Sequence, residues 1–258
     1  MQDVKTAKVL FLDGQLEEAV DMFYECAREG DAEACFHYAF CKQFGYGTER
    51  DPATAKTFYT YAREAIGEAS YNLAVMYLHG EGVERNYKKC YEFMYDAARQ
   101  DMIEAQLYLG VAHTMGTVFE PDIYAISLIP FHTPVARDHI LALEGDVPDE
   151  EDDEEKRMRA VRFDPHSAFL WFRRAARHDS DYVEGLATQS KFLYAQCFVD
   201  GLGTDFNRER AENLMLVAAS EGSREALSYL ETNAPYRLPE LQETEKLATI
   251  RKVYRLGN

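Results

Sequence analysis

Two distant stretches of this chain say nearly the same thing. Ala74 to Gln100 and Ala195 to Gly222 each run through an apolar segment, a Gly-x-Gly, an Asn, a bulky pair and an Ala-Ala. Ala34, Ala69 and Ala105, each preceded by Glu, lie 35 and 36 residues apart and open similar apolar runs. A period of this length constrains the fold more than any other feature. Each unit is too small to bury its own apolar face, so neighbouring units must stack to make a core.

The spacing inside a unit predicts two helices. From Ala69, small or apolar residues follow at Leu73, Ala74 and Tyr77, one face of a helix. Gly80-x-Gly82 then ends it, because glycine enters the left-handed region at little cost. Similar runs start at Ala34, Ala105 and Ser190 and end at Gly45-x-Gly47, Gly116 and Gly201-x-Gly203. Asp51-Pro52, Asn86, Asp164-Pro165 and Asn207 stand where the N-cap of a second helix belongs. Each is followed by a small residue (Ala55, Cys90, Ala168, Ala211) and a bulky pair (Phe58-Tyr59, Phe93-Met94, Trp171-Phe172, Leu214-Met215). The N-terminal segment carries only this second part, as Ala19, Met22-Phe23 and Ala27. Trp171, the single tryptophan, falls in the bulky pair and is expected inside the core, where truncation to Ala costs about 3–5 kcal/mol.

The pattern resembles the Sel-one-like repeat (SLR), an αα-hairpin relative of the tetratricopeptide repeat. Ala69 to Gln100 fills nearly every slot of that repeat, with Cys90 for the usual Ala and Phe93-Met94 for the usual Trp-Tyr. The resemblance implies an all-α, right-handed αα-superhelix, a single solenoid over residues 1–258. Its parts are an N-terminal capping hairpin at 2–30, repeats at 33–67, 68–103, 104–179 and 183–222, and a C-terminal cap at 223–258. That cap is expected to include a helix with Leu238, Leu241, Leu247, Ile250 and Tyr254 on its apolar side.

The third repeat is interrupted. Gly116 and Asp164 are separated by 42 residues more than the 6 between Gly80 and Asn86, so residues 117–163 hold an insert in the turn between two helices. Its first part is apolar-rich, with a helix expected from Thr133-Pro134 to about Leu143. Its second part packs nine acidic residues between Glu144 and Glu155 and reads as a solvated loop.

That run supplies about half of a formal net charge of -17, a balance that disfavours nucleic-acid partners. No apolar stretch approaches the ~18 residues of a membrane span, and the N-terminal apolar run is too short for a signal peptide. Five cysteines without CxxC spacing fit a reduced, cytoplasmic setting. His132 and His139, with Asp138, lack metal-ligand spacing; the Gly-x-Gly pairs end helices and cradle no phosphate. Neither a cofactor, a metal nor a catalytic residue is expected.

The expected function is a protein-binding scaffold or adaptor, a monomer or weak homo-oligomer, that holds a peptide or protein segment on the concave face. The resemblance implies that the first helix of each unit lines that face. A stripe at i, i+4 and i+7 selects His37, Phe44, Asn72, His79, Tyr108 and Met115 as partner-binding residues. Met76, Ala112 and Cys197 share the stripe and read equally well as core. Two alternatives are a small catalytic or ligand site formed by the insert over the groove, and a self-association module. His113, His132 and His139 would cluster in the first.

Overall fold

A computed structural model describes residues 3–118, 160–179 and 185–241, and every regular element among them is helical. The helix expected between Thr133 and Leu143, the acidic run, His132, His139, and Leu247, Ile250 and Tyr254 of the C-terminal cap lie outside these residues. The chain divides into two compact units, Met1–Ala105 with Thr117–Arg162, and Gln106–Gly116 with Phe163–Asn258.

In the first unit, α1 (Val4–Leu12) pairs with α2 (Leu16–Arg28), α3 (Ala32–Phe44) with α4 (Pro52–Ala62), and α5 (Gly67–His79) with α6 (Tyr87–Arg99). Successive hairpins also meet, α2 on α3 and α4 on α5. Helix α7 (Ile103–Met115) begins here and continues in the second unit. There follow α8 (Pro165–Ala175), α9 (Leu186–Asp200), α10 (Arg208–Ser220), α11 (Arg224–Asn233) and a 3₁₀ turn, Pro235–Arg237. Helix α11 ends at Asn233, two residues before Pro235 opens the 3₁₀ turn.

The helix boundaries follow from local chemistry. The carboxylates of Asp51 and Asp164 and the amides of Asn86 and Asn207 each accept a backbone N–H three residues on, the N-cap arrangement. Gly45, Gly80 and Gly201 close α3, α5 and α9 in the left-handed region, at φ 77°, 77° and 68°. Each hairpin is then drawn shut by one recurring bond: the N-cap N–H donates to a carbonyl near the end of the preceding helix. The pairs are Asp51 to Lys42 (2.7 Å), Asn86 to Tyr77 (2.8 Å) and Asn207 to Phe198 (3.0 Å). Asp164 donates to His113 at 3.0 Å in the same way, although the insert lies between them. Loop-closure entropy grows only with the logarithm of length, so a long insertion in this turn is tolerated.

The second glycine of each pair does something the sequence does not disclose. Gly47, Gly82 and Gly203 are also left-handed, and each lies against the first turn of the second helix of the preceding hairpin. Gly47 faces Leu16, Gly82 faces Pro52 and Ala53, and Gly203 faces Pro165 and His166. A Cβ on Gly82 would stand 2.6 Å from Pro52 Cβ and 2.7 Å from its carbonyl carbon. The first glycine ends a helix; the second lets hairpins stack.

The bulky pair of each second helix divides its labour in one way throughout. Phe23, Tyr59, Met94, Phe172 and Met215 are buried, and their neighbours Met22, Phe58, Phe93, Trp171 and Leu214 are half-buried. Adjacent residues are about 100° apart round a helix, so only one can point straight at the core. The expectation that Trp171 is a core residue is therefore corrected: it lies at the margin, with the Arg174 guanidinium 5.9 Å from its ring centre. Phe172 is the core residue, and its ring fills the space where a Cβ on Gly110 of α7 would be, 2.6 Å from Cδ1.

A polar chain runs from the α3–α4 hairpin into the next. Tyr59, fully buried, donates to Gln43 Oε1 (2.9 Å) and accepts from Asn72 Nδ2 (3.0 Å). Gln43 Nε2 and Arg50 Nη2 donate to Glu81 at 2.8 and 2.7 Å. Glu81 is the residue between Gly80 and Gly82, so the turn that stacks the hairpins is also tied by charge-assisted hydrogen bonds.

Candidate functional site

The first helices are buried almost all the way round. Nine of the thirteen residues of α3, and nine of thirteen in α5, are buried, against three of eleven in α4 and five of thirteen in α6. A helix packed against its own partner and against an adjacent hairpin has little free face left. This decides where the expected partner-binding residues go. Tyr108 is fully enclosed, and Met76, Ala112 and Cys197 are core. Asn72 is half-buried and engaged with Tyr59. His37 is 7% exposed and stacks on Phe23, ring centres 5.0 Å apart. Phe44 and His79 are half-buried, and Met115 is 57% exposed. His37 and Phe44 lie on one helix near a shared surface feature; the structure places the others elsewhere.

That feature is a shallow hollow in the first unit, lined by Lys8, Phe11, Leu12, Phe23, His37, Phe40 and Cys41. Its free volume is about 30 Å³, the room of one water- or methyl-sized group. Helix α1 supplies Lys8, Phe11 and Leu12, α2 supplies Phe23 and α3 supplies His37, Phe40 and Cys41; Leu12 is 69% exposed. Aromatic contacts extend the wall: Phe40 lies 4.8 Å from Phe44 and 5.5 Å from Tyr46, and Tyr46 lies 5.9 Å from Phe11. Lys8 at the mouth donates to Glu33 at 2.7 Å, with both side chains nearly half exposed. The wall from α1 was missed in the sequence, where α1 carries none of the repeat's slots. Its signal was there: Phe11 and Leu12 are consecutive apolar residues, and one helix cannot bury both on one side.

The hollow holds no ready nucleophile. Burial pushes the Cys41 thiol up to about 12, so it stays protonated at neutral pH. Among the described residues there is no group of three or more His, Cys, Asp or Glu side chains able to hold a metal ion. Also among them, no helix is long and apolar enough to cross a membrane.

His37 is the titrating group of the hollow. Burial, with the nearby Lys8 charge, lowers its pKa to about 4, although Glu33 Oε1 is 3.8 Å from Nε2. In the unfolded chain a histidine titrates near 6.5. Between those values the unfolded state holds the extra proton, so stability falls as pH drops from about 6.5 to about 4. Glu104, pushed up to about 7 mainly by burial, acts with the opposite sign between about 4.5 and 7. The His37 contribution, roughly 3 kcal/mol over its window, is thus read by difference. His37→Gln is expected to show a weaker loss of stability than the unsubstituted protein between pH 6.5 and 4 in urea titrations. Parallel curves would show that His37 is not held neutral by the fold.

The comparisons with known proteins agree with this architecture. A family model described as the Sel1 repeat matches residues 32–65, 67–102, 103–124, 160–180 and 188–223, together more than half of the chain. No curated protein matches the chain. Among solved structures, a Sel1 repeat protein from Oxalobacter formigenes is similar in fold, with a TM-score of 0.65 at 18% identity. That match covers 88% of this chain and 74% of the other. A protective antigen of uropathogenic Escherichia coli strains, displaying an SLR fold, aligns with a TM-score of 0.40 at 20% identity, over 95% of this chain and 56% of its own. With five matched stretches and the hairpin geometry that such a repeat requires, this chain belongs to the Sel1 repeat family.

Proposed function

We propose that the protein is a non-catalytic scaffold that binds a segment of another protein, and that the hollow lined by α1 and α3 seats a methyl-sized apolar group of that segment. Proteins of this family are in general protein-interaction scaffolds, which supports the broad class. The observation that carries the finer reading is the hollow itself, an aromatic-lined depression rimmed by the exposed Leu12. Small apolar pockets ringed by aromatic side chains are where interfaces concentrate their binding energy. Phe44 lies beside Phe40 of the lining and His37 is itself a lining residue; His79, in the same unit, is a further candidate for contact along the bound segment.

The test compares proteins retained by the purified full chain with those retained by Leu12→Asp and by Phe44→Ala. Tyr61→Ala serves as the control, since Tyr61 is 69% exposed and does not line the hollow. Partners lost from both hollow variants and kept by the control are expected, with unchanged circular dichroism in all four proteins. Equal retention by all four would overturn the placement of the site.

A further inference from the structure

We propose that the outer face of α1 is a self-complementary surface on which a second copy of this chain docks, with the two α1 helices antiparallel about a twofold axis at Val9. Helix α1 turns Val4, Ala7, Leu10 and Phe11 towards the core of its unit. Lys5, Val9 and Leu12 follow one another at i, i+4 and i+7, so they share the opposite side of the helix. The structure leaves that side open: Lys5 is exposed, Val9 is 57% exposed and Leu12 69%.

The charges beside these apolar residues decide what kind of partner fits. Lys5 stands in the first turn of α1 and Asp13 is its C-cap. A helix dipole favours the reverse, acids near the N-terminus and cations near the C-terminus, so neither charge is placed for the benefit of its own helix. Both side chains are exposed, and neither forms an ion pair with another described residue. Lys8, by contrast, is already held by Glu33 at 2.7 Å, and Asp3 caps the helix by accepting the Lys5 backbone N–H. Val9 lies midway between Lys5 and Asp13, about 6 Å along the axis from each. An antiparallel pair centred on Val9 therefore sets each Lys5 against the partner's Asp13, with Val9 and Leu12 between the two ion pairs. A parallel pair would set like charges together. A twofold axis repeats every contact, so this complementarity counts twice. A face about 13 Å long falls short of the roughly 800 Å² per partner of a standard interface, so the dimer is weak. Lys5, Val9 and Asp13 do not line the hollow, so the two readings fail separately.

Sedimentation velocity of the full-length chain over a range of concentrations tests this, in about 0.15 M salt, where charges are screened beyond about 8 Å. The sedimentation coefficient of the unsubstituted protein should rise with concentration. Lys5→Glu and Asp13→Lys should each weaken the dimer by about tenfold to thirtyfold, because each turns two attractions into two repulsions. The two substitutions move the net charge in opposite directions, so a shared effect cannot come from overall repulsion between acidic chains. Each also suits the helix dipole better than the native charge, so circular dichroism should be unchanged. Combined in one chain, they restore the pairing with the signs exchanged, and the affinity should return to within about threefold of the original. Val9→Asp should abolish association. Phe44→Ala, which bears on the hollow, should leave it unaltered; Leu12, common to both surfaces, is left in place. A native protein that stays monomeric at every concentration, single reversals without effect, or a double variant as weak as either single one would overturn the proposal.

Discussion

Gly82→Ala is expected to lower stability by about 2–5 kcal/mol, more than any other glycine-to-alanine change in the α5–α6 hairpin. Two costs combine. The residue sits at φ 64°, where a Cβ crowds the following carbonyl. Its Cβ would also meet backbone atoms, the Pro52 carbonyl carbon at 2.7 Å and Ala53 N at 2.9 Å, which cannot swing aside as a side chain could. Gly80→Ala separates the two costs. Gly80 is equally left-handed at φ 77°, yet nothing lies nearer its Cβ position than 3.5 Å, so only the conformational cost of about 1–2 kcal/mol should be seen. Urea unfolding followed by circular dichroism measures both. Equal losses for the two variants would mean that hairpin contact at Gly82 contributes nothing and that both glycines serve only to end the helix.

The second large effect separates two adjacent aromatic residues. Phe172→Ala should cost about 3–5 kcal/mol, as removal of a buried aromatic ring does. Phe172 is 4% exposed and lies against Gly110, a site that cannot refill without moving α7 or α8. Trp171→Ala should cost about 1 kcal/mol, the middle of the range for ordinary substitutions, because its ring is only partly covered. Trp171 fluorescence gives an independent reading: native emission should be only modestly blue-shifted and accessible to iodide. A large loss from Trp171→Ala together with a small one from Phe172→Ala would reverse the facing of α8 and show that the helix is rotated about its axis.

These two cases mark where sequence reasoning reaches its end. The hairpins, their order and their ends were legible because they rest on local chemistry. An Asp or Asn side chain accepts the N–H three residues on, and a glycine leaves a helix in the left-handed region, wherever in the fold they stand. The insert was legible as an insert for the same reason: Asp164 closes on His113 as Asn86 closes on Tyr77.

What a residue faces is another matter. Periodicity puts Tyr108 and His37 on a stripe of a first helix, but a stripe is free only if no neighbour covers it, and the stacked hairpins cover nearly all of α3 and α5. Trp171 and Phe172 fit the same slot of the repeat; the roughly 100° between them became meaningful only once α7 was beside α8. The sequence alone therefore determined the family of the chain, the places where its helices begin and end, and the positions able to form a core. Tertiary packing alone decided which of those positions stayed open, because burial belongs to pairs of surfaces. It took Gly82 from a helix terminator to a contact between hairpins, and it turned Phe11 and Leu12 of an unremarked first helix into a wall of the hollow.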